Sequence, residues 1–426
     1  MVSPDFRYAF DGIEREEVVI ATYSMELDRD DAVIAKVRRL SNFVYPGTSA
    51  DVTQQYPGSM EKHTAHILGI YEVPQYEFRV PQQVQKRNVI VQLAVPLIDL
   101  GNSLPTFLST VAGEILSFGD VRLLDLYIPP TYASRYGGPK FGVDGIRELL
   151  GVHDRPLLLG IFKPSQGYSA EKGASVFFEA AAGGADIVKD EELLSDPSYC
   201  RRSKRVELYA KAEKQAFEET GEHTLYAVNI TDQVDRLLSN AIEAIELGAN
   251  ALMINYVQVG LDATRMVCED PRVMIPVLGH NAGSAAFVGG SNSGISTILV
   301  NAKLPRLCGV DLCILLSGKG SYPALPERCL LLARGMLSPF YDIRPTLPVV
   351  ANGITPGTVE MFYSQYGRDI ALAAGSCIFG HPDGPRIGAT AFRQAIEAAV
   401  AGRDLDRAAE EHQELRGALE LWGKGD

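Results

Sequence analysis

From Pro156 onward the chain alternates short apolar runs with amphipathic stretches of helical period, and few folds accept that order. The runs are Leu157–Phe162, Ala185–Val188, Thr224–Ile230, Ala251–Asn255, Val273–Leu278, Asp311–Leu316, Pro348–Ala351 and Asp369–Ala374. Between them lie stretches such as Ala170–Ala182, Arg201–Glu219, Gln233–Leu247, Pro326–Met336 and Gly357–Tyr366. A strand that is apolar along its whole length is buried on both faces, as in a parallel sheet covered by helices. Eight such strands alternating with helices form the pattern of a (β/α)₈ barrel, and an open doubly wound sheet is the other fold compatible with the pattern alone.

Upstream the texture differs. Strand-like runs Glu17–Tyr23, Asn88–Ile98 and Val121–Ile128 mix with helical patches, and then Pro129-Pro130 and the stretch Tyr136–Gly142 read as a connection. We expect an N-terminal α+β domain over residues 1–140. A barrel domain with a helical tail, Asp404–Leu421, then occupies residues 141–426. A barrel takes about 250 residues, so the length leaves room for both.

The 40 Lys and Arg against 53 Asp and Glu give a net charge of −13, which argues against a nucleic-acid or anionic-membrane surface. Met1–Gly12 has no basic segment followed by an apolar run, and the longest apolar stretch, Ile90–Ile98, is broken by Gln92 and Pro96 and is too short to span a bilayer. We expect a soluble cytoplasmic protein. Six cysteines without a CxxC spacing favour reduced, buried thiols over a zinc site or disulfides.

Polar residues at the C-terminal ends of barrel strands converge on one mouth. The first run ends in Lys163-Pro164, the second in Lys189-Asp190-Glu191-Glu192, and the third in Asn229 and Thr231. The fifth ends in His280-Asn281, the sixth in Ser317-Gly318-Lys319-Gly320, the seventh in Asn352-Gly353 and the eighth in Gly375-Ser376. Two lysines and two or three carboxylates in one mouth perturb one another, and a hard divalent cation, Mg²⁺, would balance the acids. Outside such a frame the KDEE run is a solvated charge cluster. Gly353, Gly375 and Ser376 fit a phosphate cradle or merely tight βα turns. His280 fits a general acid/base, a metal ligand or a packed hydrogen-bonding residue. The Ser317–Ser321 segment lacks the first glycine and the final Ser or Thr of a P-loop.

Phe162-Lys163-Pro164, the run Gly183–Glu192 and Phe379–Pro385 together resemble the large subunit of ribulose-1,5-bisphosphate carboxylase. The likeness is closer to the form IV RuBisCO-like proteins, and it covers most of the chain. It implies a ferredoxin-like α+β domain before the (β/α)₈ barrel, and a homodimer whose active sites combine one barrel with the partner's N-terminal domain. It implies that Lys189 carries a CO₂-derived carbamate and ligates Mg²⁺ with Glu191, usually Asp in the family, and Glu192. Lys163 would stand beside the enolising carbon, His280 at the fifth strand end, and Gly353, Gly375 and Ser376 around the first phosphate. Lys319 lies near the lysine that stabilises the carboxylated intermediate. Glu114 aligns with an Asn contributed across the dimer, in a region that supplies a base in some relatives; otherwise it caps or salt-bridges a helix.

The departures from the carboxylase matter more. An Arg that holds the second phosphate is replaced by Asn281, a Ser by Ala351, and a His has no counterpart near Leu312. The Thr-Trp pair of the phosphate site is missing, since the single Trp is Trp422. Losing a bidentate Arg–phosphate pair points to a monophosphate substrate and away from CO₂ fixation. The resemblance therefore implies a Mg²⁺-dependent enzyme forming an enediolate from a phosphorylated ketose or keto sugar acid, by isomerisation or enolisation, or by decarboxylation or C–C hydrolysis. Two other classes compete: a metal-independent Schiff-base aldolase using Lys163 or Lys189, and a catalytically silent sugar-phosphate-binding regulatory protein.

Overall fold

The computed structural model describes residues 13–44, 61–322 and 324–424. Two compact units emerge, one of residues through Tyr136 together with Ser284–Val300, the other of Gly137–Gly283 and Asn301 onward.

In the first unit, β1 (Val18–Asp28), α1 (Val33–Val44), β2 (His66–Glu72), β3 (Lys86–Pro96), α2 (Leu104–Ala112) and β4 (Val121–Tyr127) follow the β-α-β-β-α-β order of a ferredoxin-like domain. Strands β1 and β3 pair antiparallel from Val18↔Pro96 to Asp28↔Lys86. Along β1 the side chains of Val19, Ala21, Tyr23, Met25 and Leu27 are buried in strict alternation, the mark of a sheet covered on one face. Helix α2 starts at Ser103, whose hydroxyl accepts from the Thr106 N–H at 3.2 Å, and the Tyr23 hydroxyl donates to the Val111 carbonyl at 2.7 Å.

The second unit holds a closed barrel of eight parallel strands. In chain order these are β5 (Leu157–Ile161), β6 (Ile187–Lys189), β7 (Leu225–Asn229), β8 (Ala251–Asn255), β9 (Val277–His280), β11 (Leu312–Leu316), β12 (Leu347–Ala351) and β13 (Ala371–Ala374). All eight apolar runs become strands, and closure between β11 and β9 excludes the open sheet. The fifth starts late, at Val277, because Pro276 lacks an N–H for the ladder. Helix α3 (Gly142–Leu150) packs Val143, Ile146 and Leu150 against the inward side chains Leu157, Leu225 and Leu347. Around the barrel lie α4 (Ala170–Ala182), α5 (Arg202–Thr220), α6 (Leu237–Glu246), α7 (Leu261–Glu269), α8 (Pro326–Leu337), α9 (Val359–Tyr366) and α10 (Pro385–Val400).

Two features depart from the sequence reading. The stretch 141–426 is interrupted: after β9 the chain leaves the barrel, and β10 (Gly294–Ile295) pairs parallel with β4 to complete a five-stranded sheet in the first unit. The division after Tyr136 falls within the Tyr136–Gly142 connection. The tail is two helices, α11 (Leu405–Glu411) and α12 (Gln413–Trp422), with Leu415, Ala418 and Leu419 buried. All six cysteines are buried and unpaired, and no described helix is long and apolar enough to cross a membrane.

Two helical glycines predict opposite outcomes. A Cβ on Gly173 of α4 would land on the hydroxyl of Tyr209, a fully buried ring that cannot swing away, so Gly173→Ala is expected to cost about 1–3 kcal/mol. Gly417 of α12 has nothing within 4 Å of that position, and Gly417→Ala is expected to gain about 0.5–1 kcal/mol. Denaturation midpoints of the two variants should move in opposite directions.

Candidate active site

Core parity decides which side chains line the mouth of the barrel. Leu159 of β5, Ile187 of β6, Ala227 of β7, Met253 of β8 and Leu278 of β9 belong to the barrel core. Alternation then turns the next residue of the same parity into the mouth: Lys189, Asn229, Asn255 and His280, with Lys163 continuing beyond Ile161. On β11, β12 and β13 the same rule yields Leu316, Gly353 and Gly375. Because β5 to β9 are consecutive neighbours, the mouth has one charged, amide-rich side and one side of small and apolar residues.

On the charged side Lys163 Nζ is bonded to Glu191 Oε1 and lies 3.3 Å from Ser165 Oγ. Lys189 is 1% exposed, donates to the Asp190 carbonyl at 2.8 Å and stands 4.0 Å from Glu192 Oε2. His280 Nε2 is 3.4 Å from the same Glu192 oxygen, and its Nδ1 accepts from the Ala282 N–H at 3.2 Å. That second bond leaves the ring proton of neutral His280 on Nε2, aimed at Glu192. The main chain of the acidic pair is held by amides: Asn229 Nδ2 donates to the carbonyls of Glu191 at 3.3 Å and Glu192 at 3.1 Å, and Asn255 Nδ2 to that of Glu192 at 3.1 Å.

Burial lowers the Lys189 ammonium from its ordinary range, with Glu191, Glu192 and Asp190 opposing. Burial alone would raise Glu191, but the hydrogen bond with Glu192 and the charges of Lys189 and Lys163 hold it down to about 2. Glu192 moves up, through burial and its bond to Glu191. Burial, and next to it the charge of Lys189, push His280 down to about 3. The folded chain therefore binds this histidine's proton less readily than the unfolded chain. The associated stability is complete above about pH 6.5 and is lost as pH falls towards 3, on the order of a few kcal/mol. Urea denaturation of metal-free protein between pH 3 and 7 should show this limb, and His280→Gln should flatten it.

Whether these residues suit a metal turns on their donors. Among the described residues no three His, Cys, Asp or Glu side chains are grouped for a metal. Glu191 and Glu192 offer hard carboxylate oxygens, and Asn255 Oδ1 is a buried acceptor with no hydrogen-bond partner among the described residues. As a cation, Lys189 opposes a bound metal; converted to an anion it completes a set of hard oxygen donors. On that condition the site fits a hard divalent ion.

On the opposite side, a Cβ on Gly375 would stand 3.2 Å from Lys163 Cγ and Cε, so the glycine lets the lysine stem pass close to the backbone. Gly353 has φ +76°, and a Cβ there would lie 2.8 Å from the Gly320 nitrogen. Ser376 is exposed at the start of the single turn Ser376–Phe379. Lys319 is exposed, with its backbone N–H on Ser317 Oγ at 3.1 Å and no ion pair among the described residues. Ala351 lies in the apolar core cluster, as does Leu312. Glu114 belongs to the other unit, where it opens the turn Glu114–Ser117; it is exposed and has no ion-pair partner among the described residues. Trp422 packs its ring 5.5 Å from that of His381 in the second unit.

Sequence reading assigned no role to Asn255 or Asp190 and none to Arg205, and it noted Asn229 only as a strand end. Parity carried one residue past the core would have flagged both amides.

Residues 11–132 match the family described as ribulose bisphosphate carboxylase large chain, N-terminal domain, and residues 142–317 and 333–422 match the catalytic domain of that chain. Over 414 residues the chain is 41% identical to a ribulose bisphosphate carboxylase-like protein of Archaeoglobus fulgidus, covering 96% of this chain and 95% of that one. It is 36% identical over 407 residues to a 2,3-diketo-5-methylthiopentyl-1-phosphate enolase of Geobacillus kaustophilus, covering 95% and 98%. A solved rubisco-like protein from Alicyclobacillus acidocaldarius superposes with a TM-score of 0.87 at 35% identity, over 96% of this chain and all of that one. An octameric carboxylase/oxygenase from Pyrococcus horikoshii superposes at 0.88 with 29% identity, over 99% and 97%.

Proposed function

The chain belongs to the ribulose bisphosphate carboxylase large-chain family as a RuBisCO-like member, and from that premise and its barrel mouth we propose that it catalyses the Mg²⁺-dependent enolisation of a monophosphorylated ketone without fixing CO₂. The observation that carries the reading is the convergence of Lys163, Glu191, Lys189 and Glu192 in one mouth, with Lys163 held directly against Glu191.

Glu191, Glu192 and a carbamylated Lys189 would hold the Mg²⁺. When bound, the ion supplies Lewis acidity that makes the proton α to the substrate carbonyl removable. Lys163, next to Glu191 and threaded past Gly375, moves that proton. His280, neutral with its proton on Nε2 facing the Glu192 carboxylate, orients that carboxylate beside Lys189. Gly353, Gly375 and Ser376 take one phosphate through backbone N–H groups, and exposed Lys319 adds a cation at the rim. With Asn281 after His280 and Ala351 in the core, the positions that would clamp a second phosphate carry no cation and no hydroxyl. The Geobacillus relative is named for a diketo monophosphate, and a substrate of that class suits this mouth. An archaeal carboxylase of similar structure, from Hyperthermus butylicus, is described as dimeric. We place this chain in the cytoplasm as a homodimer, with the exposed Glu114 of a second copy as a further proton acceptor.

The test is solvent-deuterium exchange followed by NMR on ketose and diketo monophosphates, with Mg²⁺ and bicarbonate supplied or withheld. Exchange at the α-carbon that needs both is the expected result. No exchange on any substrate with both present sinks the proposal in favour of a silent sugar-phosphate-binding protein.

A further inference from the structure

Between the inward residues Lys189 and Glu191, Asp190 faces the helical layer and is fully buried. Its Oδ1 accepts from the Tyr226 hydroxyl at 2.8 Å. Its Oδ2 accepts from Arg205 Nη2 at 2.9 Å and Nε at 3.2 Å, and from the Asn229 N–H at 3.0 Å. Arg205, on α5 and also fully buried, sends Nη2 to the Ser195 carbonyl at 2.9 Å and Nη1 to the Cys200 carbonyl at 2.8 Å. One guanidinium thus grips the strand end before Glu191 and the loop after Glu192. Past the Asp190 N–H, which donates to the Ala227 carbonyl at 3.1 Å, no sheet ladder steadies this segment.

We propose that Arg205, acting through Asp190, is a positioning residue that fixes the main chain of Glu191 and Glu192 and thereby the separation of their carboxylates from Lys189. The inference rests on the proposed function for what those carboxylates hold. Only a planar fork of five donors can bind a carboxylate and two carbonyls lying in different directions, and an ammonium at the end of a flexible stem cannot. Asn229 and Asn255 then lock the Glu192 carbonyl from the mouth side.

The experiment uses full-length protein, Mn²⁺ as probe with bicarbonate, and the variants Arg205→Lys, Asp190→Asn and Tyr226→Phe. Mn²⁺ affinity and electron paramagnetic line shape are read beside hydrogen–deuterium exchange of peptides across the barrel. Arg205→Lys is expected to weaken Mn²⁺ binding at least tenfold and broaden its signal. Exchange should accelerate over residues 190–200 and stay slow in the remaining barrel strands, and Tyr226→Phe should give the same pattern in smaller measure. Unchanged exchange over 190–200, or acceleration spread evenly over the barrel as plain destabilisation would give, overturns the proposal. If Arg205→Lys does not fold, Asp190→Asn and Tyr226→Phe decide by the same readings. If wild-type protein binds no Mn²⁺, the metal reading falls and the exchange pattern alone decides on the clamp.

Discussion

Lys189→Met is expected to abolish bicarbonate-dependent α-proton exchange, lowering kcat/KM by at least ~10³-fold, about 4 kcal/mol of transition-state stabilisation. The same change should leave the thermal midpoint equal or higher, because burial already disfavours the charged form of Lys189, an apolar chain of similar length fills its space, and Lys163 stays bonded to Glu191. Losing activity while keeping stability separates a lysine that works from one that holds the barrel together. Its depressed pKa adds a pH signature. Between the lowered value and the ordinary lysine value of about 10.4, the unfolded chain carries a proton that the folded chain does not, so stability rises with pH across that window. Activation by CO₂ needs the neutral amine, so its rate should climb with pH and level off before the ordinary lysine value. A Lys189→Met enzyme that still exchanges with bicarbonate, or a wild type indifferent to it, removes Lys189 from the reaction.

Lys163→Met should slow exchange by ~10²–10⁴-fold, the range for losing a positioned acid or base, while metal affinity holds or rises. Lys163 is the cation bonded to Glu191, so removing it leaves the acidic pair more negative and more receptive to a divalent ion. Calorimetric titration with Mg²⁺ beside the NMR assay reads both quantities. The Schiff-base aldolase makes the opposite forecast: borohydride with a ketose phosphate would inactivate the wild type through Lys163 or Lys189, and EDTA would have no effect.

Much of the barrel was legible because strands buried on both faces leave an uninterrupted apolar signature, and each turned out to be a strand. The site's charged side was legible for the same reason: Lys163, Lys189, Glu191 and His280 stand just past those runs. Arg205 escaped notice in a helix crowded with charge. Its own spacing betrays it, since Arg202, Arg205, Val206, Tyr209, Ala212 and Ala216 form the buried stripe of α5, and an arginine on such a stripe has a buried partner to find. The excursion at 284–300 left no trace because only Gly294 and Ile295 pair with β4, too few for any periodicity. Glu114 lies in the other unit, and its part across a dimer rests on the family resemblance.

That excursion bears on how the protein is made. On the ribosome β4 can pair with β1 long before its second neighbour exists: β10 emerges about 170 residues later, roughly 10–30 s at ordinary elongation rates. Until then the nascent N-terminal sheet presents a bare edge along Arg122–Leu123, the kind of open ladder that recruits a wrong strand. Translation pauses or chaperone shortage in that interval should therefore harm the yield of folded protein more than equal delays after residue 300.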